Sequence, residues 1–176
     1  MATVLVVYAS KYGSTQEVAE AVAATLREHG LDVDVRPAAE PVDPGGYSAV
    51  VIGGALYYFR WLKDARRFVR SHRDALERMP VAVFGMGPWS EEPAKLAEEL
   101  VDVRTQLDKA LAKYEWLDPV AVTVFGGAFQ PDKLRFPDNN PGMKRMAASD
   151  ARDWDAIREW AEGLPAALGL DPQRDR

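Results

Sequence analysis

The stretch from Val4 to Ala19 constrains the fold of this chain most, because it predicts a buried strand, a polar loop and a helix start in direct succession. Residues 4–7 form an apolar, Val-rich run too short for a helix, which is typical of a strand buried on both faces. Ser14 and Glu17 have the capping-box spacing ahead of apolar residues at helical intervals, so we predict that a helix begins there. A strand leading through a polar loop to a helix N-terminus favours an anion, because free amides and the helix dipole meet at that point.

The chemistry of the loop indicates which anion it would hold. Ser10, Ser14 and Thr15 carry hydroxyls that can donate hydrogen bonds to phosphate oxygens. The loop has no GxxxxGK[ST] pattern, which excludes a nucleoside-triphosphate loop, and no GxGxxG pattern, which disfavours a dinucleotide. We therefore predict a site for a terminal phosphate monoester, held mostly by neutral donors. The alternative is that the hydroxyls only cap the helix, although capping needs one hydroxyl and not three.

This loop resembles the FMN-phosphate loop of the flavodoxin family. The pattern of that family is matched in order by Val6, Val7, Tyr8, Ser10, Gly13, Thr15, Ala19 and Val22. Tyr12 differs from common flavodoxins, in which a Thr often stands at this position. The resemblance implies FMN as the cofactor. It also implies that the phosphate is bound by Ser10, Lys11, Tyr12, Gly13, Ser14 and Thr15.

The rest of the chain alternates predicted strands and helices. Apolar or alternating segments predict further strands at 31–36, 48–54, 81–85 and 119–125, and helical periods are found at 62–78, from Ser90 to Tyr114 and after a capping Asp153. This order predicts an α/β fold of the flavodoxin-like type, a three-layer sandwich. Its five-stranded parallel sheet would have the order 2-1-3-4-5, with helices on both faces. We expect one domain over residues 1–168 and a frayed tail over 169–176.

Two more loops should reach the edge of the sheet at which ligands bind in such folds. The first follows Gly53-Gly54, whose lack of side chains would allow close approach of a ligand, and runs from Ala55 to Trp61 with four aromatic residues. The second is Gly-rich and ends at Trp89. The predicted walls of a site for a flat ring are Ala55, Leu56, Tyr57, Tyr58, Gly85, Met86, Gly87, Pro88 and Trp89. The alternative is that the aromatic residues pack the loop onto the next helix.

Nearly the whole chain resembles the flavodoxin-domain family that includes the menaquinone-dependent protoporphyrinogen dehydrogenases. The residues concerned are the Ser10–Thr15 loop, Gly53-Gly54, the segment from Phe84, Phe125-Gly126-Gly127-Ala128 and Asp153-Trp154. The resemblance implies an FMN-binding oxidoreductase that transfers electrons between a reduced substrate, such as a porphyrinogen, and a quinone-type or similar acceptor. The alternative is a flavodoxin-type electron carrier without a substrate of its own. No catalytic acid or base and no metal ligand is predicted.

Charge and composition restrict the partners. The net charge of −5 argues against nucleic acid, and the absence of Cys excludes disulfides and thiolate metal sites. No apolar run reaches the roughly 20 residues of a membrane span, and a strand follows Met1-Ala2-Thr3 directly, so we expect a cytoplasmic protein with at most peripheral membrane contact. The expected partners are a small-molecule or quinone substrate, or a redox protein. A basic rim would attract anionic groups, unless it is only a solvated helix face: Arg60, Lys63, Arg66, Arg67, Lys133, Arg135, Lys144 and Arg145.

Overall fold

A computed structural model describes residues 2–58 and 60–171. The strands in chain order are β1 (Thr3–Ala9), β2 (Asp32–Pro37), β3 (Ala49–Tyr57), β4 (Arg60–Trp61), β5 (Val81–Met86), β6 (Ala121–Phe125), β7 (Ala128–Phe129) and β8 (Ser149–Asp150). The helices are α1 (Ser14–Glu28), α2 (Lys63–Ser71), α3 (Arg73–Leu76), α4 (Pro93–Leu111), α5 (Pro141–Lys144) and α6 (Trp154–Ala167), with short 3-10 turns at Pro44–Gly46 and Pro131–Lys133.

The central sheet has the order β2-β1-β3-β5-β6, and all of these neighbours are parallel. The predicted order 2-1-3-4-5 is therefore confirmed. Two additions were not predicted. The two-residue strand β4 pairs antiparallel with the end of β3, and β7 pairs with β8 in a separate small sheet.

Strand β1 shows how the sequence separates the two faces of the sheet. Its side chains alternate, so that Val4 and Val6 pack in the core cluster with α1 and α6, whereas Leu5 and Val7 pack in the cluster with α2, α3 and α4. All four are fully buried, as expected for a parallel strand covered by helices on both sides. This arrangement is the predicted three-layer sandwich.

The predicted capping box at the start of α1 is wrong. The residue before the helix is Gly13, whose φ of +93° lies in the left-handed region that glycine adopts without strain, and its amide donates to the Ser10 hydroxyl at 2.8 Å. Ser14 is already helical, and the side chain of Glu17 pairs instead with Arg152. The cap residue of α1 is thus Gly13, one residue before the Ser14 that the capping pattern implies.

Two helix boundaries also differ from the prediction. The long helix begins at Pro93 and not at Ser90, because proline tolerates the first helical turn, in which no amide donor is needed. The predicted helix at 62–78 is divided into α2 and α3 at His72, whose Nδ1 lies 2.9 Å from the Phe68 carbonyl oxygen. The predicted cap of the last helix is confirmed, since the Asp153 carboxylate accepts from the Ala156 amide at 3.0 Å.

Gly53 and Gly54 serve packing inside the protein and not the approach of a ligand. A Cβ atom at Gly53 would lie 2.1 Å from the Phe84 ring, and one at Gly54 would lie 2.2 Å from Nε1 of Trp61. Trp61 is itself buried and donates its indole N–H to the Gly54 carbonyl. Strand β3 continues past both glycines to Tyr57, so the exit loop starts later than predicted.

Residues 169 and 170, the first of the predicted tail, close the end of α6, because the Leu170 amide donates to the Pro165 carbonyl at 2.8 Å and Leu170 packs on the core. Residues 172–176 of the predicted tail lie outside the described residues, as does Phe59 of the aromatic loop.

Candidate cofactor site

The carboxyl edge of the sheet opens into a largely apolar cavity of about 470 Å³. It lies among the loops that follow β1, β3 and β5, the side of α4 and the segment after β7. Its apolar and aromatic walls come from Leu56, Tyr57, Tyr58, Pro88, Trp89, Val103 and Phe129. A concave apolar site of this volume with a few polar groups is typical of the binding site for one small organic molecule.

A second, more polar groove of about 520 Å³ lies beside this cavity. Residues of the loop before α1 form one wall and residues 132–135 form the other. Because α1 begins here, its first amides have no acceptor within the helix and are available to an anion. Tyr12 lines both the cavity and the groove, so the two spaces adjoin.

The structure places the predicted site residues in three groups. The residues that line the cavity are Tyr12, Ser14, Leu56, Tyr57, Tyr58, Gly87, Pro88 and Trp89. Those that line the groove with Tyr12 are Ser10, Lys11 and Gly13. Those buried in the fold behind these surfaces are Thr15, Ala55, Gly85 and Met86. The Gly87 amide donates to the Phe125 carbonyl at 2.9 Å, so it is already used within the fold.

Thr15 carries the clearest sign of a missing partner. Its side chain is fully buried, and within the described residues its Oγ1 has no hydrogen-bond partner. Thr25, further along the same helix, is also buried but donates its hydroxyl to the Ala21 carbonyl at 3.1 Å. A buried hydroxyl without a partner costs about 1–3 kcal/mol. Thr15 lies directly behind the groove, between Ser14 of the cavity and Gln16 of the groove. Its hydroxyl therefore suits an anion that reaches the first turn of α1, and the residues present fit a phosphate such as that of FMN.

An ionic contact between Lys11 and Asp138 lies beside the cavity and joins the loop after β1 to the segment after β7. Asp138 accepts hydrogen bonds from the Lys11 ammonium and, at 2.6 Å, from the Tyr12 hydroxyl. The hydrogen bond from Lys11 holds the pKa of Asp138 below its usual value, and the same bond raises the pKa of Lys11. Both groups are therefore charged at neutral pH. We call residues 130–148 the roof segment, because Gln130, Leu134, Asp138 and Met143 cover the cavity.

The aromatic walls are held in different ways. Burial raises the pKa of Tyr57 to about 12, so its phenol stays neutral and can donate a hydrogen bond. Tyr58 has a φ of +46°, an uncommon backbone conformation for a bulky residue, and its side chain is 84% exposed at the mouth of the cavity. Trp89 stacks on Phe129 with ring centroids 5.0 Å apart, and its carbonyl accepts from the Ser149 hydroxyl. The antiparallel pair of β7 and β8 thus fixes the wall that Trp89 forms.

Sequence reasoning missed several residues of this site. Asp138, Phe129, Val103 and Gln106 line the cavity, yet none of them belongs to the loops that follow β1, β3 or β5. Val103 belongs to the helical period predicted from Ser90 to Tyr114, but it was not predicted to line a site. The Phe125-Gly126-Gly127-Ala128 motif gave the only signal near Phe129, and the irregular sequence of the roof segment gave none for Asp138.

The predicted basic rim is divided between two places. Lys133 and Arg135 line the polar groove, whereas Arg67 lines a separate surface pocket with residues 38–43 and His72. Arg66 donates from Nε to the Trp61 carbonyl at 2.9 Å. Lys133 and Arg135 are therefore the members of the predicted rim that this structure places in the groove.

Fold and site define the class of this protein. The family model described as flavodoxin domain matches residues 5–149, and the chain belongs to this family. It is 26% identical over 136 residues to protoporphyrinogen IX dehydrogenase (quinone) of Escherichia coli strain K12, covering 76% of this chain and 73% of that protein.

Solved structures show the same fold at low sequence identity. A flavodoxin from the domain Archaea superposes with a TM-score of 0.56 and 18% identity, over 95% of this chain and 99% of that one. Rubredoxin oxygen:oxidoreductase of Desulfovibrio gigas has a TM-score of 0.58 and 16% identity, with 96% of this chain matching 36% of that one. Within residues 2–58 and 60–171, no helix is both long and apolar enough to cross a membrane.

Proposed function

We propose that this protein binds FMN and acts as an oxidoreductase that passes electrons from a reduced substrate to a quinone-type acceptor. The proposal rests on one observation: a polar groove at the start of α1 and an apolar cavity meet at Tyr12. FMN requires both, since it has a phosphate at one end and a flat ring at the other. The similarity to an Escherichia coli enzyme named for a quinone supports this type of acceptor.

The residues divide between the two ends of the cofactor. In the proposal, the hydroxyls of Ser10, Ser14 and Thr15 and the first amides of α1 bind the phosphate. The ring lies between Tyr57, Tyr58 and Trp89, with further walls from Leu56, Gly87 and Pro88. Lys11 contributes mainly through its ion pair with Asp138. Bound FMN supplies the capacity to accept and donate one or two electrons.

The roof segment favours an enzyme over a simple carrier. Leu134, Asp138 and Met143 extend the cavity beyond the three loops at the edge of the sheet, which gives a concave, largely apolar surface that a small acceptor can contact. The second candidate, an electron carrier, is favoured by Tyr58. This residue is highly exposed at the mouth of the cavity, at a point that a partner protein can reach. A cytoplasmic location stays a prediction.

FMN binding is tested by titrating the purified protein with FMN and with riboflavin, which lacks the phosphate, and following flavin fluorescence. We expect the wild type to prefer FMN. The variant Thr15→Val keeps the shape of the side chain but removes its hydroxyl, so FMN affinity should fall by about 10-fold while riboflavin affinity is unchanged. No uptake of FMN at micromolar concentration would refute the proposal.

The choice between enzyme and carrier is tested anaerobically. The protein is loaded with FMN, reduced, and mixed with a soluble quinone at rising concentration. An enzyme that binds quinone in its cavity should be reoxidised at a rate that saturates with quinone. A rate that rises linearly without saturation would favour the carrier.

A further inference from the structure

Arg152 lies between β8 and α6, and its guanidinium has four polar contacts. It donates to both carboxylate oxygens of Asp150, at 2.9 and 2.7 Å, to the Glu17 carboxylate, and to the Ser14 carbonyl at 3.4 Å. The side chain is only 6% exposed. Its guanidinium carbon lies 4.9 Å from the centre of the Trp154 ring. A long cationic side chain is thus held in a single place.

Two of these contacts reach the first turn of α1. Ser14 is the first residue of the helix and Glu17 lies three residues later in the same turn, so Arg152 contacts the turn that borders the polar groove. Glu17 is the acidic residue of this turn. A carboxylate near an anion site opposes the binding of phosphate, and a permanently charged guanidinium cancels much of that effect.

Three charged groups lie next to this turn: Arg152, Asp150 and Glu17. Arg152 is shared between two carboxylates, those of Asp150 and Glu17. The three groups together carry a net charge of −1, which becomes −2 if Arg152 loses its charge. Because Glu17 is about half exposed, water screens part of the repulsion, and the effect on a phosphate should be moderate.

We propose that Arg152 is a positioning residue for the cofactor phosphate, which neutralises Glu17 and fixes the first turn of α1 through the Ser14 carbonyl. This inference rests on the proposed FMN site. The simpler alternative is that Arg152 only joins the β7–β8 strand pair to α1. The chain offers a matched control for that alternative, since Arg158 of α6 pairs with Glu28 at the far end of α1 at 2.6 Å.

The test compares FMN with riboflavin in the full chain at low ionic strength. Arg152→Gln should weaken FMN binding by about 10-fold, since it leaves Glu17 uncompensated, and should change riboflavin binding by less than about 2-fold. The double variant Glu17→Gln/Arg152→Gln should return FMN affinity to within about 3-fold of wild type, because the repelling charge is gone. Arg158→Gln should change neither affinity.

Two more variants remain informative if Arg152→Gln does not fold. Glu17→Gln alone should tighten FMN binding by about 3-fold without affecting riboflavin. Arg152→Lys keeps the charge and should retain most of the preference for FMN.

If Arg152→Gln does fold, 0.5 M salt should reduce its loss of FMN affinity, since screening weakens repulsion between partly exposed charges.

The outcomes separate this inference from the proposed function. Equal losses of FMN and riboflavin in Arg152→Gln, or no recovery in the double variant, would assign Arg152 a purely structural role while FMN binding by the wild type stands. Failure of the wild type to bind FMN would overturn both the proposed function and the role of Arg152.

Discussion

The Asp138 carboxylate accepts a hydrogen bond from the Tyr12 hydroxyl at 2.6 Å, although 126 positions separate the two residues in the chain. Tyr12 borders both the apolar cavity and the polar groove, and Asp138 belongs to the roof segment. The contact therefore ties the roof to the loop that we propose for the phosphate. Substitutions in the roof segment should therefore also affect the position of this loop.

Asp138→Asn should loosen the roof. The change keeps the shape of the side chain but removes the charge that pairs with Lys11 and weakens the hydrogen bond from the Tyr12 hydroxyl, so residues 130–148 should separate more often from the loop. Trypsin cleavage after Lys133, Arg135, Lys144 or Arg145 should become several-fold faster, with little change in the urea midpoint, because a single ion pair near the surface contributes about 1 kcal/mol or less. Asp132→Asn, at an exposed position of the same segment, is the control. Equal cleavage rates in both variants would contradict the tie.

The same contact predicts a dependence of stability on pH. The pKa of Asp138 is lowered from its usual 3.8, so its contribution is fully present above that value and is lost as pH falls through the lower value of the folded state. The free energies of unfolding of wild type and Asp138→Asn in urea should therefore differ by a small constant amount, about 1 kcal/mol or less, from pH 7 down to about pH 5, and should converge in acid. Subtracting the two curves removes the other carboxylates with lowered pKa, such as Asp150. A difference that persists unchanged to pH 2 would contradict the assignment.

Two glycine substitutions should have opposite effects on stability. Gly53→Ala would place a Cβ atom 2.1 Å from the buried Phe84 ring, and overpacking of this kind costs about 1–3 kcal/mol or more. Gly163→Ala adds a Cβ in α6 with no atom within 4 Å, and it should stabilise the protein by about 0.5–1 kcal/mol because alanine favours the helix. The free energies of unfolding in urea provide the comparison. A neutral Gly53→Ala would show that the Phe84 ring can move aside.

Phe129→Leu should weaken the wall for the ring without touching the phosphate groove. Trp89 would lose its stacked partner, and aromatic pairs contribute about 0.5–1.5 kcal/mol beyond their buried area. FMN and riboflavin affinities should therefore fall together, by about 3- to 10-fold. Thr15→Val is the matched contrast, since it should lower FMN affinity alone. A selective loss of FMN in Phe129→Leu would contradict the assignment of this wall to the ring.

The sequence allowed the main architecture to be predicted, because the signals for it are local. The buried run of β1, the loop after it and the apolar period of α1 occur in one continuous stretch, and the sheet order follows from the alternation of such units. The predictions were wrong where a residue distant in sequence binds the side chain that the local pattern assigns to another role. Ser14 and Glu17 have the capping-box spacing, but Arg152 takes the Glu17 carboxylate, and Gly13 already ends the loop.

The roof segment could not be predicted for a related reason. Its residues have no periodic pattern, and their positions depend on single contacts such as those of Asp138 with Lys11 and Tyr12. For Gly53-Gly54 the local sequence pattern predicted the approach of a ligand at a place where the structure has packed side chains. A pair of glycines at a strand end suggests a ligand, whereas here the space is taken by two aromatic side chains that only the packed core reveals.

The pairing of Phe129 with Ser149 brings the two ends of the roof segment side by side. The chain thus leaves the sandwich and returns to it at one point, and the intervening residues form a loop that is closed at its base. The entropy cost of closing such a loop rises only slowly with its length. The roof segment can therefore change in length without disturbing a strand of the main sheet, whereas a change at Asp138 also reaches the loop before α1.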